Sequence, residues 1–367
     1  MGKTNILFIL FLIFSSIIIT TGQAPVYYSQ GDAQQITDSI NKSPGSSKRF
    51  RIVFYNLENL FDTKNDSAIR DDEFTPDGIR AWNNFKFQKK LINTYKTIIA
   101  IGEFDPPAVI GVCEIENRDV LQQLTQGTPL KKFNYKIIHR DSPDRRGIDV
   151  ALLFKPSKFQ PLFIKTIPIN FPFDTLSRTR DILYVKGVAL NSDTLHLFIN
   201  HWASRYGGYM PTKRKREYIA RQLRLATDSI ISKNSKSLIV VTGDFNDEPW
   251  DESIRILTKQ TQTNSKDRNS GLVNLLEKKV RYKNSGTIKY REYWQLFDQF
   301  LISFPLLNQN NKIFTRHDLA HIFDAEFLLE EDNRYFGQKP FRTYGGYRYQ
   351  GGFSDHLPIF LDLIIKN

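Results

Sequence analysis

Close to the C-terminus, Gly351-Gly352-Phe353-Ser354-Asp355-His356-Leu357-Pro358-Ile359 sets a carboxylate beside an imidazole. An oxygen ligand for a cation and a proton carrier would then share one backbone turn. The paired glycines allow positive φ or a close backbone approach, Pro358 suits only the edge or start of a strand, and the mostly apolar run Ile359 to Ile365 reads as that strand. The pair therefore sits at a strand end. An Asp-His dipeptide alone fits a solvated turn as well as it fits chemistry, so its meaning depends on the other polar clusters of the chain.

Those clusters also follow strand-like runs. Arg51-Ile52-Val53-Phe54-Tyr55 leads into Asn56-Leu57-Glu58-Asn59, Ala108 to Cys113 leads into Glu114-Ile115-Glu116-Asn117, and Ser237 to Val241 leads into Thr242-Gly243-Asp244-Phe245-Asn246-Asp247. Each run is short, rich in β-branched residues and bounded by polar residues or glycine, the pattern of a buried strand. Each delivers oxygen ligands at its exit. Hard cations such as Mg²⁺ take carboxylate and carbonyl oxygens, and scattered single ligands suit them better than a compact His/Cys cluster.

In chain order the motifs are Asn56 in N-L-E-N, Glu114 in C-E-I-E-N, His201 in N-H-W-A-S-R, Asp244 and Asn246 in G-D-F-N-D, Asp298 in F-D-Q-F-L-I-S, then Asp355 and His356 in S-D-H-L-P-I. Content and order resemble the endonuclease/exonuclease/phosphatase superfamily, the fold of pancreatic-type deoxyribonuclease, exonuclease III-like repair enzymes, neutral sphingomyelinases and inositol polyphosphate phosphatases. The resemblance covers roughly residues 50 to 365. It implies Glu114 as the principal Mg²⁺ ligand, with Asn56 and Asp355 near the same ion and Mn²⁺ or Ca²⁺ as other candidates. It further implies His356 as general base, Asp298 as the partner that fixes its tautomer, and His201 as a second catalytic histidine that gives a hydrogen bond or proton to the phosphate. Asp244 and Asn246 would position the water or the phosphate. Glu58 and Glu116 are further acids with local alternatives: a cap or ion pair for Glu58, the start of a helix after Asn117 for Glu116. Leu296-Phe297 stand where many members of the family carry Arg-Ile.

The elements that must position these residues alternate. Phe87, Leu91, Ile92, Tyr95, Ile98 and Ile99 recur at helical spacing, with an end expected near Gly102. Strands are expected at Phe133 to His139, Ile148 to Phe154, Ile182 to Leu190 and Thr194 to Asn200, and a helix over about Thr212 to Ile231. Strands interleaved with helices suit two packed mixed sheets, and a doubly wound sheet equally. The resemblance implies the former: an α/β (α+β) fold, a four-layered α/β/β/α sandwich with two mixed β-sheets face to face and helices outside.

Motifs of one site span the whole chain of 367 residues, so a single domain is expected over 49–367. Lys3, the uncharged run Ile6 to Ile19 and Thr20-Thr21-Gly22-Gln23-Ala24 read as a signal peptide over 1–24, with a flexible N-terminal segment at 25–48. Export to the periplasm or the outside is expected, with an uncleaved membrane anchor as the alternative. The lone Cys113 excludes an intramolecular disulfide and a thiolate zinc site, and its place in an apolar run points to burial.

The formal charge of +12 and pI near 9.5 favour polyanionic substrates. Lys213-Arg214-Lys215-Arg216, Arg221 and Arg224 form either a basic site mouth or a solvated helix face. Arg205, Arg180 and Arg146 are the candidate phosphate contacts, with pairing to a structural carboxylate as the alternative for Arg180 and Arg146. Tyr206, Tyr209 and Tyr218 could stack bases, and Tyr344, in the Arg- and Tyr-rich segment before Gly351, either joins a substrate platform or packs in a hairpin over the sheet. The expectation is an exported Mg²⁺-dependent nuclease that cleaves DNA or RNA as a monomer without a protein partner. A sphingomyelinase-like lipid phosphodiesterase and a small phosphate-ester phosphatase are alternatives, and a non-catalytic polyanion-binding relative is an alternative of another class.

Overall fold

The computed structural model describes residues 47–259, 271–281 and 285–366. The expected signal peptide, and the expected N-terminal segment apart from its last two residues, lie outside the described residues. From Ser47 onward the chain forms one compact unit. Among the described residues no helix is long and apolar enough to cross a membrane.

Two sheets carry the fold. In the first, β1 (Lys48–Leu60) lies between β2 (Val109–Ile115), to which it is parallel, and the Ile359–Ile365 strand, to which it is antiparallel. β3 (Lys136–His139) and β4 (Asp149–Phe154) extend the β2 side. In the second sheet β5 (Phe159–Ile167), β6 (Ile182–Ala189), β7 (Thr194–His201) and β8 (Leu238–Asp244) run in order, followed by the Asp298–Ser303 strand and β9 (Leu272–Asn274). Here β7 and β8 are the parallel pair.

Strand alternation explains the layering. Phe50, Ile52 and Phe54 of β1 join Leu195, Leu197 and Ile199 of β7 and Val240 of β8 in one core between the sheets. The alternate residues Val53, Tyr55 and Leu57 face outward, against α1 (Asn84–Gly102) and α2 (Arg118–Gly127). Ile239 and Val241 face outward from the other sheet, against α3 (Tyr209–Lys233) and α4 (Glu252–Thr258). This is the expected four-layered sandwich of two mixed sheets with helices outside, and the doubly wound alternative falls.

Several boundaries differ from the sequence reading. β1 runs on to Leu60, through the whole N-L-E-N motif. Only Lys136–His139 of the expected Phe133 to His139 strand is extended, because Pro129–Phe133 forms a 3-10 turn that ends on left-handed Asn134 (φ 53°). Helix α3 starts three residues earlier than expected; Pro211 is tolerated there because the first turn needs no N–H partner. Cys113 is buried as expected, and burial pushes its thiol up, well above the ordinary range.

Helix α1 does more than cover the sheet. Asn83 caps it by accepting from the Lys86 N–H. Polar residues on its buried face hold the C-terminal loop: Asn93 donates to the carbonyls of Gly351 and Gly352 (3.1 and 2.7 Å), and Lys90 donates to Thr343 Oγ1 and the Phe353 carbonyl (both 2.6 Å). Gly351 adopts φ 71°, and a Cβ on Gly352 would lie 2.2 Å from the Phe341 carbonyl oxygen, so neither position accepts a larger residue without strain. The turn in front of Asp355 and His356 is fixed in this way.

Candidate active site

The exits of the two parallel strand pairs meet at one pole. In the second sheet His201 is the register partner of Asp244, and Asp244 is the register partner of Asp298 on the next strand. Asn56 of β1 donates from Nδ2 to Asp244 Oδ2 (3.0 Å) and so ties the sheets together. Ser354 donates to the Asn56 carbonyl (2.7 Å) and accepts from the His356 N–H (3.1 Å), which seats His356 over the same group.

Asp244 Oδ2 is the hub. It lies 3.8 Å from His356 Nε2 and 3.7 Å from His201 Nε2, while Asp244 Oδ1 accepts from the Asn246 N–H (2.9 Å). His356 Nδ1 pairs with Asp298 Oδ2 at 2.7 Å. That bond sets a proton on Nδ1 and turns Nε2 toward the hub. Burial alone would depress the His356 imidazolium, but the Asp298 and Asp244 carboxylates outweigh it and hold the group well above the usual imidazole value. Burial pushes Asp244 up to about 7 in spite of the opposing pull of His356. His201 is the reverse case: burial, then Arg180 and Arg146, hold it well below the imidazole range, so it is a neutral ring that can give a hydrogen bond.

Glu114 completes the centre from β2. Its φ of 57° turns it out of the strand alternation, and its Oε1 lies 3.7 Å from His201 Nε2. Oε2 accepts from the Asn59 N–H (3.0 Å), and Oε1 takes no hydrogen bond among the described residues. Glu114, Asp355 and Asn56 offer oxygen donors of the kind a hard divalent cation takes, and Lys90 and Arg342 stand against Glu114, Glu58 and Asp355 as counter-charges. Asp355 is the outlier of the expected ligand set, because its Oδ2 accepts from Arg342 (2.8 Å) and it lines a cavity at the edge of the centre.

Glu58 takes the local alternative. It is buried, accepts from the Thr343 and Tyr344 N–H groups (2.6 and 3.4 Å) and pairs with Arg342 (3.4 Å) and Lys90 (4.0 Å). Glu116 accepts from the Asp62 N–H (2.7 Å), and Asn117 rather than Glu116 caps α2 by accepting from Val120. Burial pushes Glu116 up to about 8.

The expected substrate contacts are placed differently. Arg180 is buried: Nη1 pairs with Asp144 (2.8 Å), Nε donates to the His201 carbonyl (3.2 Å) and Nη2 to that of Trp202, so it clamps the His201 loop. Arg205 is engaged with the Asn246 carbonyl (2.8 Å), Asp247 (2.9 Å) and Asp251 (2.6 Å), and it braces the G-D-F-N-D turn. Arg146 remains half-exposed beside Asp144 (3.3 Å). Tyr344 is no platform: it is buried against Trp82 and Tyr349, with its hydroxyl on the Arg80 carbonyl (2.9 Å). The basic run on α3 is largely neutralised, since Arg216 is buried on Asp247 (2.7 Å), Lys215 pairs with Asp174 (2.7 Å) and Arg214 stacks over Phe173 (4.1 Å).

Lys90 was not anticipated at the site, and Arg342 was anticipated only as one of the arginines of the Arg- and Tyr-rich segment before Gly351. Lys90 carried a usable signal, a cation on the apolar face of a helix one residue before Leu91. The pairing of Arg342 carried none, because its partners Glu58 and Asp355 lie 284 and 13 positions away.

A family profile described as Endonuclease/Exonuclease/phosphatase family matches residues 51–365. No curated protein sequence matches. Among solved structures, humanized D. rerio TDP2 is 15% identical, with 86% of this chain and 98% of that chain covered and a TM-score of 0.52. An endonuclease/exonuclease/phosphatase family protein from Bacteroides thetaiotaomicron is 13% identical (87% and 98% covered, TM-score 0.53). A mannosyl-6-phosphatase from the same species is 13% identical (86% and 99% covered, TM-score 0.52).

Proposed function

The chain belongs to the endonuclease/exonuclease/phosphatase family, and from that premise we propose that it is a metal-dependent phosphodiester hydrolase, an exported nuclease acting on DNA or RNA. The observation that carries the chemistry is the 2.7 Å bond between Asp298 and His356, which aims Nε2 into a centre of carboxylates. Water is the natural nucleophile for such a base: the one cysteine is buried, and Ser354 is engaged with Asn56.

In this reading His356 Nε2 takes the proton of the attacking water, and the field of Asp298 and Asp244 stabilises the imidazolium that results. Asp244 and Asn246 hold the water or the phosphate in line. Neutral His201 gives a hydrogen bond to a phosphate oxygen as negative charge develops. Glu114, Asn56 and Asp355 would hold Mg²⁺, which when bound supplies charge neutralisation of the phosphate oxygens and the leaving oxygen.

Two considerations favour nucleic acid. The chain carries a formal charge of +12, and D. rerio TDP2, of the same fold, has been solved with a single strand DNA product. Incubation of the purified protein with plasmid DNA, RNA, sphingomyelin and mannose 6-phosphate, each with Mg²⁺ or EDTA, tests the assignment. Metal-dependent cleavage of nucleic acid is the expected result. Turnover of only the lipid or the sugar phosphate would move the substrate and reject the nuclease, and tight salt-sensitive nucleic-acid binding without cleavage would indicate a non-catalytic relative.

A further inference from the structure

A cavity of about 730 Å³ opens directly beside the catalytic pole, with Asp355 and Arg342 lining it. The loop Ser204–Tyr209 and the hairpin of Ile288–Tyr290 with Tyr293–Gln295 line it as well. We propose that this cavity is a subsite for one unpaired nucleobase, attached through its sugar to the phosphate under attack. The proposal rests on the phosphodiester reading of the same centre and adds that the substrate is presented single-stranded, with one base out of its stack.

The lining sorts into one charged region and an aromatic wall. Of the cations at the cavity, Arg205 is held by Asp247 and Asp251, Lys289 by Asp332 (3.1 Å) and the Phe336 carbonyl (2.5 Å), and Lys339 pairs with Glu330 (3.6 Å). Arg342 gives Nη2 to Asp355 and Nε to Glu58, but its Nη1 has no hydrogen bond among the described residues. A phosphate oxygen is the acceptor to which a free guanidinium nitrogen beside the hydrolytic centre would donate.

The rings divide in the same way. Tyr209 and Phe297 hold the Arg205 guanidinium between them, at 4.8 and 4.7 Å. Tyr206 and Tyr290 also line the cavity yet stand 93% and 61% exposed. Exposed rings that flank a pocket with an anion donor match a flat, uncharged body carrying a phosphate. The volume lies within the ordinary range for a small-molecule pocket, large enough for one nucleoside unit rather than a stacked duplex. Base stacking on tyrosine tolerates any base, so the subsite selects for an unpaired base without selecting sequence.

Calorimetric titration of the purified full chain with adenosine 5′-monophosphate and with ribose 5-phosphate isolates the base. The nucleotide is expected to bind about tenfold more tightly, the size of one base–aromatic stack. Tyr206→Ala with Tyr290→Ala is expected to erase that difference and to leave ribose 5-phosphate binding where it was. Both rings project into solvent, and a thermal melt equal to that of the parent verifies folding. Equal affinity for the two ligands, or a preference that survives the double substitution, overturns the proposal. So does mannose 6-phosphate binding more tightly than the nucleotide, which would make this a sugar subsite.

Single-stranded DNA cleavage by the same preparations separates the two readings. Metal-dependent cleavage by a protein that binds adenosine 5′-monophosphate no more tightly than ribose 5-phosphate removes the subsite and leaves the nuclease standing. A base preference without cleavage of any nucleic acid removes the nuclease and leaves a nucleotide-binding site.

Discussion

The two sheets bring different kinds of backbone to the same pole. β1 and β2 leave their ladder irregularly, with register shifts between Asn56 and Leu60 and between Cys113 and Ile115, and with Glu58, Asn59 and Glu114 at φ of 48°, 58° and 57°. β7, β8 and the Asp298–Ser303 strand keep register to the last residue, so His201, Asp244 and Asp298 stand side by side. A left-handed non-glycine residue costs about 1–2 kcal/mol, and such strain persists only where surrounding contacts hold it. The difference separates two tasks. The irregular exits aim oxygen donors that strand alternation would send to opposite faces, and the regular exits fix the spacing of the polar groups gathered around Asp244.

Substitutions on the two sides should therefore fail in different ways. The largest effect is expected on the regular side. Asp298→Asn removes the charge that orients and stabilises His356, and kcat should fall by about 10²–10⁴ with KM little changed. Steady-state kinetics on bis-p-nitrophenyl phosphate measures this, and a loss below tenfold would remove Asp298 from the proton path. Next comes the clamp that supports the same strands. Arg180→Ala removes the buried partner of Asp144, leaving it only the half-exposed Arg146, and should cost about 3 kcal/mol of stability by denaturant unfolding. A stable variant that has lost phosphate affinity instead would restore Arg180 to the substrate contacts.

On the irregular side Glu114→Gln should keep the fold and raise the Mg²⁺ concentration for half-maximal rate by more than about tenfold. An unchanged Mg²⁺ requirement would place the cation elsewhere. The smallest effect is expected from Asn59→Val, which sets a β-branched residue at φ 58° and should destabilise by about 1–2 kcal/mol. A neutral result would show that the exit of β1 relaxes without harm, and would weaken the contrast between the sheets.

What the sequence revealed follows the range of the interactions. The Ile359–Ile365 strand and the end of α1 at Gly102 were legible, because each rests on local periodicity and on residues such as Pro358 and Gly102. The motif residues Asn56, Glu114, His201, Asp244, Asn246, Asp298 and His356 were legible through their order in the chain, and the fold brings them to one pole. For the arginines the sequence left phosphate contact and structural pairing open, because a guanidinium near a motif looks the same whether it turns outward or inward. Arg180 turns inward to Asp144, 36 positions away, and Arg216 turns inward to Asp247. The hairpin at Ile288–Gln295 was missed for a different reason: its turn uses Arg291 at φ 55°, where the usual signal is Asn or Gly.

The central claim is that His356, oriented by Asp298, activates water at a metal-holding acidic centre. Turnover of bis-p-nitrophenyl phosphate with Mg²⁺ and with EDTA, by the parent chain and by His356→Ala, tests it most directly. The account predicts hydrolysis that EDTA abolishes and that the substitution lowers by about 10²–10⁴, with folding retained. Hydrolysis that persists in EDTA, or a variant within tenfold of the parent, would contradict it.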